Sequence, residues 1–243
     1  PPLRAHTLPQ VRRRAALVHF ACFAGVAAPV PRPALLWCVG SAAPLALTRP
    51  AVRDDAPTCG MVTRIRSRAR RGLTLIDNLL AYASVAGSSA PAVEVDVDEL
   101  VARVLRDLLE GSDRSQVTVC PLGVVHADPV MVRSLIKNLL STALTYVADG
   151  MTPRVEVSVD KRSEPGWLQL RVDDNGVGIA CAEREEVFEP FHRGVGAVGI
   201  PGTGVGLAIC RRVVTRYGGR IWVEDSPYGG TSVLFTLPAG EGL

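Results

Sequence analysis

Two glycine runs bracket residues 173–207, and together they restrict what this part of the chain can build. The first is Asp173-Asp174-Asn175-Gly176-Val177-Gly178-Ile179. The second is Pro201-Gly202-Thr203-Gly204-Val205-Gly206-Leu207, and Phe188-Glu189-Pro190-Phe191-His192-Arg193 stands between them. A carboxylate followed by alternating glycines, then alternating glycines opening a helix, suits a nucleotide. The acid can accept a hydrogen bond from an exocyclic amine. The glycines let backbone N–H groups approach phosphate oxygens without a Cβ in the way.

Composition narrows the alternatives. A chain of 243 residues can bury a proper core, as one large domain or two small ones. The net charge of +3 is mild and the basic residues are scattered, so nucleic acid is not an expected partner. Lys137 and Lys161 are the only lysines and neither follows a glycine, which excludes a Gly-Lys-Ser/Thr phosphate loop. The cysteines Cys22, Cys38, Cys59, Cys120, Cys181 and Cys210 form no CxxC pair and no zinc spacing. They read as reduced core residues of a protein in a reducing, cytoplasmic compartment. The chain opens on Pro1-Pro2 without an initiator Met, which reads as a piece of something longer. The apolar run Ala15 to Ala28 follows Arg12-Arg13-Arg14, but it contains His19, ends at Pro29 and is shorter than the ~20 residues a membrane span needs. A helix in a helical bundle is the expectation there.

Taken in order, prolines at 29, 31, 33, 44, 50 and 57 break residues 1–60, leaving one helix before Pro29 and another around Ala34 to Val39. From Met61 apolar residues recur at helical spacing to about Ser84, and Gly87-Ser88-Ser89-Ala90-Pro91 reads as a linker. Strands are expected over Val93–Val97, Gln116–Cys120, Arg154–Val159 and Trp167–Val172, with Asp174 just past the last of them. Arg220–Val223 and Thr231–Leu237 read as a closing strand pair. Helices are expected over Asp98–Leu109, from Asp128-Pro129 to about Val147, and from Val205 to Tyr217, where Gly218-Gly219 stops the last. The mixture lacks strict βαβ alternation. It predicts an α+β fold, a two-layer sandwich over residues 91–243 preceded by a helical region over residues 1–90.

From about Met61 to Pro238 these motifs resemble the core of a two-component sensor histidine kinase of the phytochrome-like kind, with an ATP-binding domain of the type shared with DNA gyrase. Leu75-Ile76-Asp77-Asn78-Leu79-Leu80 is similar to the second helix of the dimerisation hairpin, and Asn138-Leu139-Leu140 to the opening of the N box. Asp174-Asn175-Gly176-Val177-Gly178 resembles the first glycine box and Phe188-Glu189-Pro190-Phe191 the F box. Gly202-Thr203-Gly204-Val205-Gly206-Leu207 resembles the second glycine box and Gly229-Gly230-Thr231 the last. The position three after Gly204 is Leu207, so the dinucleotide-binding fingerprint is not met.

The resemblance implies roles. Asp174 would receive the adenine amino group, with Thr231 supporting it through water, and Gly176 and Gly178 would allow the close turn beside the purine. Gly202, Gly204 and Gly206, with Thr203, Val205 and Leu207 of the same box, would hinge a lid and offer N–H groups to the phosphates of ATP. Asn138 would lie by the phosphates and Mg²⁺. It also implies a homodimer through the helical region and a response-regulator receiver domain, or a partner kinase, downstream.

Two departures stand against it. Where the family has a second Asn for the metal and then a basic residue, this chain has Thr142 and Thr145. Positions 138, 142 and 145 share one helix face and point at one spot; the resemblance then makes Asn138 and Thr142 the candidate metal ligands. Phe23-Ala24-Gly25-Val26-Ala27-Ala28 resembles the run before the phosphoacceptor histidine, yet the next residue is Pro29. His19 is the fallback acceptor, but Phe20 follows it where an acid belongs, and it reads better as a packing residue. Two functions stay open: a kinase core that phosphorylates a histidine, or a degenerate pseudokinase that binds nucleotide, dimerises and regulates a partner.

Overall fold

The computed structural model describes residues 56–87, 90–109, 116–148, 150–160, 164–197, 199–200 and 202–240. The chain divides into two compact units, Pro1–Arg70 and Arg71–Leu243. The helices expected before residue 40, the apolar run Ala15 to Ala28, His19 and Pro29 all lie outside the described residues. In the first unit the description begins with the opening of α1 (Ala56–Gly87), where Met61 and Ile65 are exposed. This helix starts before the expected Met61. Pro57 sits in its first turn, where a missing N–H leaves no helical bond unmade. Among the described residues no helix is long and apolar enough to cross a membrane.

The second unit is a sheet covered by helices, as the alternation of its strands requires. Its elements run β1 (Val93–Asp96), α2 (Val97–Leu108), β2 (Val117–Val119), β3 (Val124–Ala127), α3 (Pro129–Thr145), β4 (Val155–Val159), β5 (Trp167–Asp174), α4 (Gly206–Arg216), β6 (Ile221–Asp225) and β7 (Thr231–Pro238). Five strands form one sheet in the order β2-β4-β5-β7-β6, and β1 and β3 pair separately. The β2–β4 pair is parallel and the other pairs are antiparallel. α3 and α4 pack on the large sheet, and α2 packs on α3. Their apolar stripes meet the inward residues Val157, Leu170, Val172, Val233 and Phe235 in one core. Leu75 and Tyr82 of α1 pack against that core, and the Arg212 guanidinium lies 4.3 Å from the Tyr82 ring centre.

Helix ends follow the local chemistry. Asp96 Oδ1 accepts the Glu99 N–H at 2.9 Å and Asp128 Oδ1 the Val130 N–H at 2.8 Å, with Pro129 next in line. The Asp98 carboxylate accepts from Leu122 and Gly123, which pins the loop before β3 to the start of α2. At the end of α4, Gly219 donates to the Val214 carbonyl and Gly218 to that of Thr215, with Gly218 at φ 77°. Two details differ from expectation. β3 is an extra strand, four residues long between Gly123 and the Asp128 cap, too short to show a period. β5 extends through Asp174, because Asp173 pairs with Ser232 and Asp174 with Val155.

Packing predicts stability. Phe235 is wholly buried on β7, so Phe235→Ala is expected to cost about 3–5 kcal/mol in urea unfolding. Val195→Ala, at a residue 78% exposed, is expected to stay within about 0.5 kcal/mol of the parent.

Candidate nucleotide site

The site forms where β5 and β7 end side by side. β5 delivers Asp174, and β7 opens with Thr231 across from it. Asp174 is 8% exposed, and its Oδ1 accepts two backbone N–H groups, from Gly176 at 2.8 Å and from Thr231 at 2.8 Å. Both bonds fall on one oxygen, which leaves Oδ2 for a ligand. Burial raises the carboxyl above its ordinary 3.8; the two N–H groups oppose this, and neighbouring Asp173 adds to it. Asn175 faces away from this work, its Oδ1 accepting the Arg154 N–H at 2.8 Å and its Nδ2 donating to the Thr152 carbonyl at 3.0 Å.

Glycine is required at two points here. A Cβ on Gly230 would lie 2.3 Å from Asp174 Oδ1, and one on Gly176 would lie 2.4 Å from the Tyr146 carbonyl oxygen. The first glycine run thus folds onto the end of α3, where the Val177 N–H donates to that same carbonyl at 2.9 Å.

The second run meets the other end of the cavity. Gly204 has φ 69°, its carbonyl accepts the Phe191 N–H at 2.8 Å, and a Cβ on it would sit 2.7 Å from the His192 carbonyl oxygen. Phe191 itself holds φ 68°, an uncommon value for a bulky residue and a local strain. α4 then begins at Gly206 with Val205 at the cap, and no side chain caps its first turn. Those free N–H groups carry the positive end of the helix dipole, an arrangement that receives anions. Asn138 of α3 abuts this turn, since a Cβ on Gly206 would lie 3.3 Å from Asn138 Oδ1.

One cavity of about 420 Å³ joins the two ends. Asn138, Thr142, Asp174, Gly178, Gly202, Thr203, Gly204, Gly206, Leu207 and Thr231 all line it. Gly176 acts one step back, by holding Asp174, and Val205 is buried in the core. The candidate metal ligands are neutral. Asn138 Nδ2 donates to the Ser134 carbonyl at 2.8 Å, which leaves its Oδ1 free, and the Thr142 hydroxyl donates to the Asn138 carbonyl at 2.7 Å. Among the described residues no group of three His, Cys, Asp or Glu is placed to hold a metal. Two neutral oxygens suit a cation that arrives on phosphates, not one held by the protein alone.

The sequence reading missed several walls of this cavity. Thr74 and Asn78 of α1 line it, and the Asn78 amide donates to the Thr203 hydroxyl at 2.9 Å. Their spacing of four residues places them on one helix face, but nothing in that spacing points to the partner 125 positions away. Tyr146 lines it too, and a Cβ on Gly202 would lie 2.3 Å from its hydroxyl. Glu183, His192 and Arg193 complete that side. Of the described cysteines, Cys210 is buried but Cys120 is half-buried and Cys181 exposed, so the reading of all six as core residues is too broad.

Comparison with known proteins fits this geometry. Residues 127–241 match the family described as histidine kinase-, DNA gyrase B-, and HSP90-like ATPases. Among solved structures, a mycobacterial sensor histidine kinase, MprB, is 33% identical with a TM-score of 0.52, covering 60% of this chain and 97% of its own. The chain belongs to this ATPase family. The phytochrome-like protein Cph1 of Synechocystis sp. is 32% identical over 170 residues, 69% of this chain and 22% of its own length. The chain therefore spans about a fifth of that relative. A full-length structure of ShkA in complex with AMPPNP shares the fold, with a TM-score of 0.63 at 22% identity over 93% of this chain and 45% of that one. The N box, the glycine boxes and the F box, recognised by resemblance from residue 138 onward, all fall inside the matched span.

The buried acid has a stability signature. The folded state holds the Asp174 proton to higher pH than the unfolded chain does, so the ionised acid destabilises the fold above its raised pKa. Asp174→Asn keeps an oxygen for both N–H groups and removes that penalty. The variant is expected to melt at a higher temperature than the parent near neutral pH. The two are expected to converge as pH falls toward 3.8, which paired melting curves across that range will read.

Proposed function

We propose that this chain is the ATP-binding core of a two-component sensor histidine kinase, one that keeps its nucleotide but not phosphorylation of its own helix in cis. The observation that carries the reading is Asp174, a buried carboxylate with one oxygen fixed by two backbone N–H groups and the other left for a donor. An exocyclic amine is the group such an acceptor selects, and adenine has one. The alternate glycines and the uncapped α4 N-terminus stand ready for phosphates at the other end of the same cavity. The complex of ShkA with AMPPNP, a protein of the same fold, is consistent with this.

In this reading ATP lies with its purine at Asp174 and Thr231 and its phosphates against Gly202, Gly204 and Gly206. Tyr146 flanks the lid, its hydroxyl against Gly202. Asn138 Oδ1 and Thr142 Oγ1 are the protein oxygens that would hold a phosphate-borne Mg²⁺, which would neutralise charge on the phosphates. In the transfer step the bond from the γ-phosphorus to the bridging oxygen breaks as a bond to a histidine nitrogen forms, and ADP leaves. The acceptor belongs to a partner kinase chain, because Pro29 stands where this chain's own would be. A response-regulator receiver domain then takes the phosphate, and the helical region pairs two copies of the chain in the cytoplasm.

A second reading, a pseudokinase that binds nucleotide as a regulatory module, is favoured by one feature. The face of α3 that lines the cavity offers Asn138, Thr142 and Thr145, all neutral, where phosphoryl transfer profits from positive charge.

Calorimetry with a non-hydrolysable ATP analogue, with and without Mg²⁺, tests the nucleotide site. Asp174→Asn presents an amide N–H to the purine amine, so it is expected to lose roughly tenfold to a hundredfold in affinity. Parent protein that fails to bind sinks both readings. Incubation with γ-labelled ATP then separates them: acid-labile label on a partner kinase supports the active core. Label on His19 that vanishes in His19→Ala refutes the loss of cis phosphorylation. No transfer to any partner leaves the regulatory module.

A further inference from the structure

Phosphates bring negative charge into the cavity, and the described residues lining it offer little to meet it. Only His192 and Arg193 among them can carry a positive charge. Arg193 is committed to the lid, its guanidinium donating to the Ala197 carbonyl at 2.7 Å and also to that of Ile200. Glu183, the acid on the same side, accepts the Val195 N–H at 3.0 Å and so is tied to the lid as well. His192 differs. Its Nδ1 stands 3.9 Å from the Glu186 carboxylate, while its Nε2 is buried and has no hydrogen-bond partner among the described residues. A buried polar atom left unpaired carries a desolvation cost that a ligand accepting from it offsets.

Position says which part of a nucleotide that ligand is. The His192 carbonyl oxygen packs against Gly204, the middle glycine of the second run, and the neighbouring Phe191 N–H holds the Gly204 carbonyl. The imidazole therefore belongs to the phosphate end of the cavity, away from Asp174. We propose that His192 is a phosphate-binding residue of this site, donating through Nε2 to a phosphoryl oxygen, with the Glu186 carboxylate 3.9 Å from Nδ1 on its other side. The ring thus offers the phosphates a donor from the lid, where α3 has Thr145 in place of a basic residue. This role rests on the ATP reading above and names a contact within it.

The test compares adenosine, AMP, ADP and a non-hydrolysable ATP analogue as ligands of the 243-residue chain and its variants. His192→Phe keeps a flat ring without a donor. It is expected to bind adenosine within about twofold of the parent and to lose about tenfold to a hundredfold for the phosphate-bearing ligand whose phosphate His192 meets. His192→Arg, which restores a donor and a charge, is expected to recover much of that loss. Equal loss for adenosine and for the ATP analogue makes His192 a packing residue and overturns the proposal. So does unchanged affinity across the series. A parent protein that binds neither adenosine nor the ATP analogue overturns the ATP reading itself, a different outcome from parent binding that His192→Phe leaves intact.

Discussion

The site depends on one carboxylate oxygen. Asp174 Oδ1 takes an N–H from Gly176, just beyond β5, and another from Thr231, the first residue of β7. These two bonds tie the first glycine run to the neighbouring strand, and they orient the acid so that its second oxygen is available. The same burial that makes the acceptor selective makes its charge expensive, which is why the carboxyl rises although two donors oppose the shift. A protein selected for stability alone would place an amide or an apolar residue there. Retaining the acid marks the position as one where binding outweighs folding.

Around that anchor the fold sets an electrostatic gradient. The purine end is an acceptor held by donors, and the phosphate end is a set of donors without acceptors: α4 starts at Gly206 with no side-chain cap. The loop joining the two runs is braced internally by Arg193 to the Ala197 and Ile200 carbonyls and by Glu183 to the Val195 N–H. Those bonds are local to the loop, while Arg184 with Asp225, Arg211 with Glu185 and the buried Val187 and Phe188 tie its first half to β6, α4 and the core. The strained Phe191 sits within the loop, where its N–H holds the Gly204 carbonyl of the second run.

Much of this was legible in the sequence, and the reason is chemical. Glycines needed for close approach, such as Gly176 and Gly204, cannot be replaced by other residues without a clash at 2.4 Å or 2.7 Å, so they stand out. Caps such as Asp128-Pro129 are equally local signals, and the helix they announce begins where expected. What stayed hidden is what only the folded chain brings together. Asn78 meets Thr203 across 125 positions, and nothing in α1's own pattern marks that bond. β3 escaped notice because four residues between a glycine and a cap show no period. The approach of His192 to Glu186 is hidden for a related reason: the acid lies six positions earlier, not beside it in sequence.

The hidden contacts matter because they make α1 part of the nucleotide cavity. Its residues from Thr74 onward lie in the same compact unit as the sheet. Leu75 and Tyr82 anchor this stretch to the core, and Arg212 of α4 stacks on Tyr82. Asn78 then reaches the Thr203 hydroxyl, between two glycines of the lid. A partly buried hydrogen bond of this kind contributes about 1 kcal/mol, small against the whole fold but comparable to the energy separating two positions of a lid. Movement of the lid onto phosphates must therefore keep this bond or break it. Either way α1 bears on the lid through Asn78, on a stretch whose neighbouring Ile76, Leu79 and Leu80 are exposed.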